Sequence, residues 1–205
     1  LTDYHFYRPA DGHGLAHNPF NSIIAPRPIG WISTLGRDDV ANLAPYSFFN
    51  AFNYVPPIIG FSSVGAKDSL NNARDTGEFV WNLASYDLRD AMNESAAPIA
   101  PELDEFARAG LSKAPSRCVK PPRVAASPVS FECKTSQIIQ LQGADGEAVD
   151  SWLVLGEVVG VHIDKALLEG GIYQTARARP ILRGGGPADY FVTEEAAKFA
   201  MARPD

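Results

Sequence analysis

The chain has 205 residues, 45% hydrophobic and 20% charged, enough to bury roughly 70% of its unfolded surface in one core, so a single domain over 1–205 is the expectation. Lys+Arg 18 against Asp+Glu 24 leaves a net charge of −6, which argues against a constitutive nucleic-acid or anionic-membrane surface, although a local basic pocket could hide inside that total. No apolar run approaches the roughly 18 residues of a membrane helix, and the opening Leu1-Thr2-Asp3-Tyr4-His5 lacks a charged-then-apolar signal pattern, so the chain reads as a soluble, cytoplasmic protein.

From Ser22 to Leu35 the sequence is apolar with small polar interruptions; it closes at Gly36-Arg37-Asp38-Asp39 and resumes through Val40 to Tyr54, which predicts a hairpin with a polar turn, ended by Pro56-Pro57. Ile58 to Ser63 predicts a third strand. Lys67 to Thr76 predicts a helix stopped by Gly77, and Glu78 to Leu83 a strand after it. Helices are expected around Asp87 to Ala96 and Glu102 to Ala109, the latter ended by Gly110, and the proline-rich piece Ala114 to Pro128 crosses between halves as extended chain. Val129 to Gln142 and Ser151 to Asp164 predict a long hairpin with its polar tip at Gly143 to Glu147. Thr193 to Ala202 predicts a last surface helix. Six or so antiparallel strands with short turns close into a small barrel, so the expected fold is mainly β with peripheral helices.

The most informative stretch is Ser62-Ser63-Val64-Gly65-Ala66-Lys67-Asp68-Ser69. A strand ends there in hydroxyls, a glycine permits a tight turn, and a lysine stands at a helix start, where free N–H groups, the helix dipole and an ammonium converge on an anion such as phosphate. An ordinary helix capped by Ser63 or a neighbour explains the same residues. A P-loop does not, because Ala66 intervenes and Lys67 falls one position late. A second constellation sets Ala25-Pro26-Arg27-Pro28-Ile29-Gly30-Trp31-Ile32-Ser33-Thr34 against Asn42-Leu43-Ala44-Pro45-Tyr46-Ser47-Phe48-Phe49-Asn50. Small residues there let backbone approach a flat ring, and Ser47 and Asn50 offer polar atoms to its edge. A plain core hairpin accounts for the aromatics equally well, but poorly for Arg27 locked between two prolines.

Other motifs lead away from chemistry. His13 and His17 stand four apart, but Gly12 and Gly14 argue for a loop, and no third ligand accompanies them, so no metal is expected. His162, on the apolar strand, reads as a satisfied barrel residue. Gly60-Phe61-Ser62-Ser63-Val64 lacks the last glycine of an esterase elbow, and Gly184-Gly185-Gly186 lacks the context of a dinucleotide fingerprint and reads as a flexible approach loop. Cys118 and Cys133 make no CxxC pair and are expected reduced and buried.

Tyr4 to Tyr7, Gly12 to Leu15, Ala25 to Thr34, Asn42 to Asn50, Lys67-Asp68-Ser69, Thr76 to Val80 and Gly156-Glu157-Val158 together resemble the flavin reductase-like, FMN-binding split-barrel flavoproteins, some of them associated with two-component flavoprotein oxygenases. The resemblance covers about three quarters of the chain. It implies a six-stranded Greek-key split barrel, a homodimer with FMN near the subunit interface, flavin reduction by NADH or NADPH, and an oxygenase partner receiving reduced flavin. Carried over, it gives Ser62, Ser63, Lys67 and Ser69 the phosphate, with Ser69 where many relatives have Thr. Arg27, Trp31, Ser33, Thr34 and Ala44, Pro45, Tyr46 and Ser47 would line the flavin. Arg183, Gly185 and Tyr190 approximate a C-terminal pattern found in flavin reductases. Hydride arriving at flavin N5 leaves negative charge near N1, which backbone N–H groups or a cation stabilise, so no side-chain nucleophile is expected. The alternatives are a non-catalytic FMN carrier and a split-barrel relative holding pyridoxal phosphate or haem.

Overall fold

The computed structural model describes residues 2–100 and 102–204; Leu1, Pro101 and Asp205 lie outside the described residues. In chain order the elements are α1 (Phe20–Ile23), β1 (Arg27–Pro28), β2 (Gly30–Leu35), β3 (Ala41–Tyr46), β4 (Phe49–Asn53), β5 (Ile58–Val64), α2 (Asp68–Thr76), β6 (Glu78–Asn82), α3 (Arg89–Glu94) and α4 (Glu105–Arg108). The short pair β7 (Lys113–Ala114) and β8 (Arg123–Val124) follows, then the long hairpin β9 (Val129–Gln142) and β10 (Ala148–Ile163). A small hairpin, β11 (Leu168–Glu169) and β12 (Ile172–Tyr173), precedes β13 (Ile181–Arg183) and β14 (Tyr190–Val192).

The main sheet has seven antiparallel strands in the order β3-β2-β6-β9-β10-β5-β4 and curls into a split barrel. The seventh strand arises because the stretch expected as one strand from Val40 to Tyr54 breaks at Ser47-Phe48. There the Ser47 carbonyl accepts from Arg27 Nε at 3.0 Å instead of extending a ladder, while the Phe48 carbonyl takes the Ser62 N–H at 2.9 Å. The chain therefore crosses the open seam of the barrel at these two residues, and β4 turns back onto β5.

The barrel interior is filled by Ile32, Phe61, Leu70, Phe79, Cys133 and Val154, all buried. Phe61 packs edge-on to Phe79 at 5.5 Å and tilted on Tyr46 at 4.7 Å. A second apolar layer under α3 and α4 gathers Trp31, Leu43, Met92, Phe106 and Val124. Strand β2 is buried on both faces because alternate residues serve the two layers: Trp31 belongs to one and Ile32 to the other.

Several sequence expectations change. The predicted helix at Thr193 to Ala202 is only a 3-10 turn at Glu195–Ala197, since its apolar Phe199 and Met201 stay exposed with no face to bury against. The helix expected over Glu102 to Ala109 shrinks to Glu105–Arg108, capped by the Asp104 side chain accepting from the Phe106 N–H. Cys118 is exposed, not buried; Cys133 is buried as expected. The helix at Asp68–Thr76 ends at Gly77 in the left-handed region, φ 73°, and the long hairpin forms with its tip between Gln142 and Ala148.

The stretch from Ala114 to Pro128, expected as extended chain crossing between halves, instead folds back as the β7–β8 pair, and the loop between them is clamped by Glu132, whose side chain is fully buried. Its carboxylate accepts the successive N–H groups of Arg117, Cys118 and Val119 and the Nε2 of His162. Burial alone would raise this carboxyl, but His162 and the three N–H groups outweigh it and hold it below the usual carboxylate range. The native state therefore favours the ionised form, and the stability it contributes is present at neutral pH and lost as pH falls through the carboxylate range. Glu132→Gln turns an amide N–H toward one of these donors, so it is expected to cost about 1.5–3 kcal/mol at pH 7, with the difference shrinking in acid. Urea unfolding followed across pH checks this; a deficit independent of pH would contradict the clamp.

Candidate functional site

The turn between β5 and α2 is built by Gly65, at φ 81°, whose carbonyl accepts from the Ser63 Oγ at 2.9 Å and from the Lys67 N–H at 3.0 Å. Lys67 occupies the N-cap position in extended backbone, and no side chain caps the helix. The capped-helix alternative therefore lacks its cap, and the first-turn N–H groups of α2 are left for other acceptors. Ser63 is buried and supports the turn from inside.

Beside this turn lies a cavity of about 490 Å³. Of the residues expected at a ligand, it brings together Ala44, Pro45 and Tyr46 of β3 and Ser47 of the seam with Ser62, Lys67 and Ser69. Ser69 is held by Asn42 Nδ2, which donates to its Oγ at 2.8 Å. The Tyr46 hydroxyl is buried without a hydrogen-bond partner. The hydroxyls beside it are otherwise engaged, Ser63 with Gly65 and Ser69 with Asn42. Burial pushes the Tyr46 phenol up.

Glu105 also lines this cavity and had no signal in the sequence, because it comes from a one-turn helix 36 residues beyond Ser69. Its Oε2 accepts the Leu43 N–H at 3.1 Å. Burial pushes its carboxyl up, with Asp68 and Asp104 adding to the shift and hydrogen bonds from its own backbone and Leu43 opposing it.

A second cavity, of about 560 Å³, shares Phe48, Ser62 and Val64 with the first and is mostly apolar, walled by Phe20, Ile24, Phe49, Phe52 and Leu141 around Arg27. Arg27 is buried; it donates to the carbonyls of Ser47, Asn21 and Gly184 and lies 5.6 Å over the Phe48 ring. Burial lowers its guanidinium, and the neighbouring Arg183 adds to the shift. Arg27 pairs with Arg183 across β1 and β13. Arg183 and Tyr190 line a third cavity of about 410 Å³ with Tyr86 and Arg89. The Arg183 guanidinium sits 4.9 Å over the Tyr190 ring and donates to the carbonyls of Asp189, Gly186 and Pro187.

Trp31, Ser33 and Thr34 are not brought to these cavities. All three are fully buried: Trp31 Nε1 donates to Ser95 Oγ at 2.9 Å, Ser33 Oγ to the Pro122 carbonyl, and Thr34 Oγ1 accepts from Asn72 at 3.0 Å. Their strand is covered on both faces, so these side chains stand behind the site.

The family model described as "Flavin reductase like domain" matches residues 23–182. An uncharacterized protein of Aquifex aeolicus is 35% identical over 170 residues, 80% of this chain and 83% of its own length. Among solved structures, nitrilotriacetate monooxygenase component B from Bacillus cereus superposes with a TM-score of 0.81 at 30% identity, covering 91% of this chain and 98% of that one. The 2-nitrobenzoate 2-nitroreductase of Pseudomonas fluorescens gives a TM-score of 0.78 at 25% identity, covering 90% and 88%.

The carboxyls of Glu105 and Glu132 are shifted in opposite directions, the first up and the second down. A raised carboxyl destabilises the fold when ionised, so the fold gains stability as pH falls through the Glu105 titration and loses it again as pH rises. Glu105→Gln keeps an acceptor for the Leu43 N–H and is expected to raise the urea midpoint at neutral pH, with the gain vanishing in acid. A gain of equal size at both pH extremes would contradict the burial of this charge.

Proposed function

As a member of the flavin reductase-like family, in which the chain belongs by its match over residues 23–182, we propose that this flavin-related oxidoreductase binds FMN and reduces it with NADH or NADPH. The observation that carries the reading is the junction of a polar cavity with an apolar one through Phe48, Ser62 and Val64. One molecule with an ionised phosphate at one end and a flat ring at the other satisfies both.

The residues fit such a group. Lys67, Ser62 and Ser69 and the uncapped first turn of α2 would take the phosphate oxygens. The ring would lie along the seam against Phe48, with Arg27 in the same cavity. Arg27 has no carboxylate partner among the described residues, so its charge is available to the ring edge that becomes electron-rich. When bound, the flavin supplies the hydride-accepting centre; the chain positions it, excludes water from one side and stabilises charge, with no side-chain nucleophile. Trp31, Ser33 and Thr34 would hold β2 in place behind the ring.

Arg183 and Tyr190, whose cavity adjoins through the Arg27–Arg183 pair, would receive the nicotinamide nucleotide. One observation favours a non-catalytic FMN carrier instead: the Arg183 guanidinium is already occupied by three carbonyls of its own loop. Stopped-flow mixing of FMN-loaded protein with NADH and NADPH separates the two. The reductase reading expects the flavin band to bleach in seconds, and the carrier reading expects no bleaching. The absorption spectrum of the purified protein tells FMN from pyridoxal phosphate or haem. Lys67→Ala is expected to weaken FMN about tenfold or more while leaving riboflavin nearly unchanged, because only FMN carries the charge it meets; equal loss for both would count against a phosphate role.

The reading includes a homodimer. Phe52 on β4, Val64 on β5, and Tyr54 and Val55 in the turn between them are exposed, Tyr54 at 89% and Val55 at 78%, and Phe52, Val64 and Leu141 line the apolar cavity itself. A second copy covering this surface would close the ring site. Sedimentation at micromolar concentration is expected to give a dimer, and a monomer there would remove this part. A separate oxygenase consuming reduced flavin is the partner such a dimer would serve.

A further inference from the structure

At the other end of β10 from the flavin cavities lies a cavity of about 630 Å³ that shares no lining residue with them. Arg117, Arg123 and His162 line it. The Arg117 guanidinium makes no hydrogen bond or ion pair among the described residues, and Arg123 makes one hydrogen bond, from Nε to the Pro115 carbonyl at 3.2 Å. By contrast Arg37, Arg89, Arg108, Arg177 and Arg179 are all ion-paired.

The acids that line the cavity, Glu132 and Asp164, form no ion pair with these arginines among the described residues. Both Glu132 oxygens are taken by three main-chain N–H groups and His162, and the Asp164 Oδ1 accepts the Ala166 N–H at 2.9 Å. His162 is fixed by its Nε2 contact, and its Nδ1 has no partner among the described residues. In this concave place two guanidiniums thus stand without an ion-pair partner among the described residues, although Glu132 and Asp164 balance their charge in sum. The volume suits a small organic molecule better than a single inorganic ion, and a guanidinium fork matches a carboxylate in two parallel hydrogen bonds.

We propose that this cavity is a second ligand site, separate from the flavin, for a small organic acid with two or more carboxylates gripped by Arg117 and Arg123 beside His162. The proposal does not rest on the flavin reading.

The molecule carries its own reporter. Cys118 is exposed and lines the cavity, whereas Cys133 is buried and burial pushes its thiol up, out of reach of alkylation. The rate of Cys118 alkylation by iodoacetamide would be followed in the full chain at constant ionic strength, against citrate, succinate, inorganic phosphate and uncharged succinamide. Citrate or succinate is expected to slow alkylation several-fold and saturably, and succinamide to leave it unchanged. Arg117→Ala keeps the main-chain N–H that serves Glu132, so it is expected to fold and to raise the half-protecting concentration about tenfold. Saturating shifts of the arginine Nε–H signals in the unaltered protein give a readout independent of that variant. Protection that never saturates, that survives Arg117→Ala, or that phosphate matches at equal concentration would overturn the assignment.

Discussion

Arg27, stiffened between Pro26 and Pro28, gives its donors to the carbonyls of Ser47, Asn21 and Gly184, and in doing so ties the first helix, the barrel seam and the C-terminal glycine loop to one point. A buried guanidinium is costly unless its N–H groups are satisfied. Satisfying them with neutral carbonyls, not a carboxylate, preserves the positive charge. The same contact diverts Ser47 from the ladder, breaks the strand and opens the seam. Phe48, beside that break, lines both cavities.

Charge is managed differently at the two buried glutamates. Glu132 is surrounded by donors and stays ionised, which locks the loop between β7 and β8 onto β9. Glu105 has fewer donors and acidic neighbours, Asp68 and Asp104, and its ionised form is disfavoured. The second arrangement matters to an anion site. With Lys67 the basic residue in that cavity's wall against Asp68 and Glu105, a carboxyl that gives up its charge readily reduces the repulsion a phosphate meets on arrival.

Local patterns carried much of this structure. Gly77 stops α2, Gly36 to Asp39 turn the first hairpin, and the tip between Gln142 and Ala148 separates the two long strands, because turn chemistry and period act over a few residues. The Lys67 turn was legible for the same reason. What the sequence did not disclose depends on contacts distant along the chain. The break at Ser47 needs Arg27, and the roles of Trp31, Ser33 and Thr34 need the knowledge that β2 is covered on both faces. Glu105 reaches the site only through the packing of α4 on β3. The tail helix failed because propensity without a surface to pack on does not hold a helix.

An open sheet has two outer strands, and each offers main-chain groups to any stray chain. At β3 that offer is withdrawn. Pro45 has no N–H to give, and the Leu43 N–H is already spent on Glu105. The proline and the acid that shape the ligand cavity thus also blunt this border against intermolecular strand addition, so recognition and resistance to aggregation draw on the same few atoms.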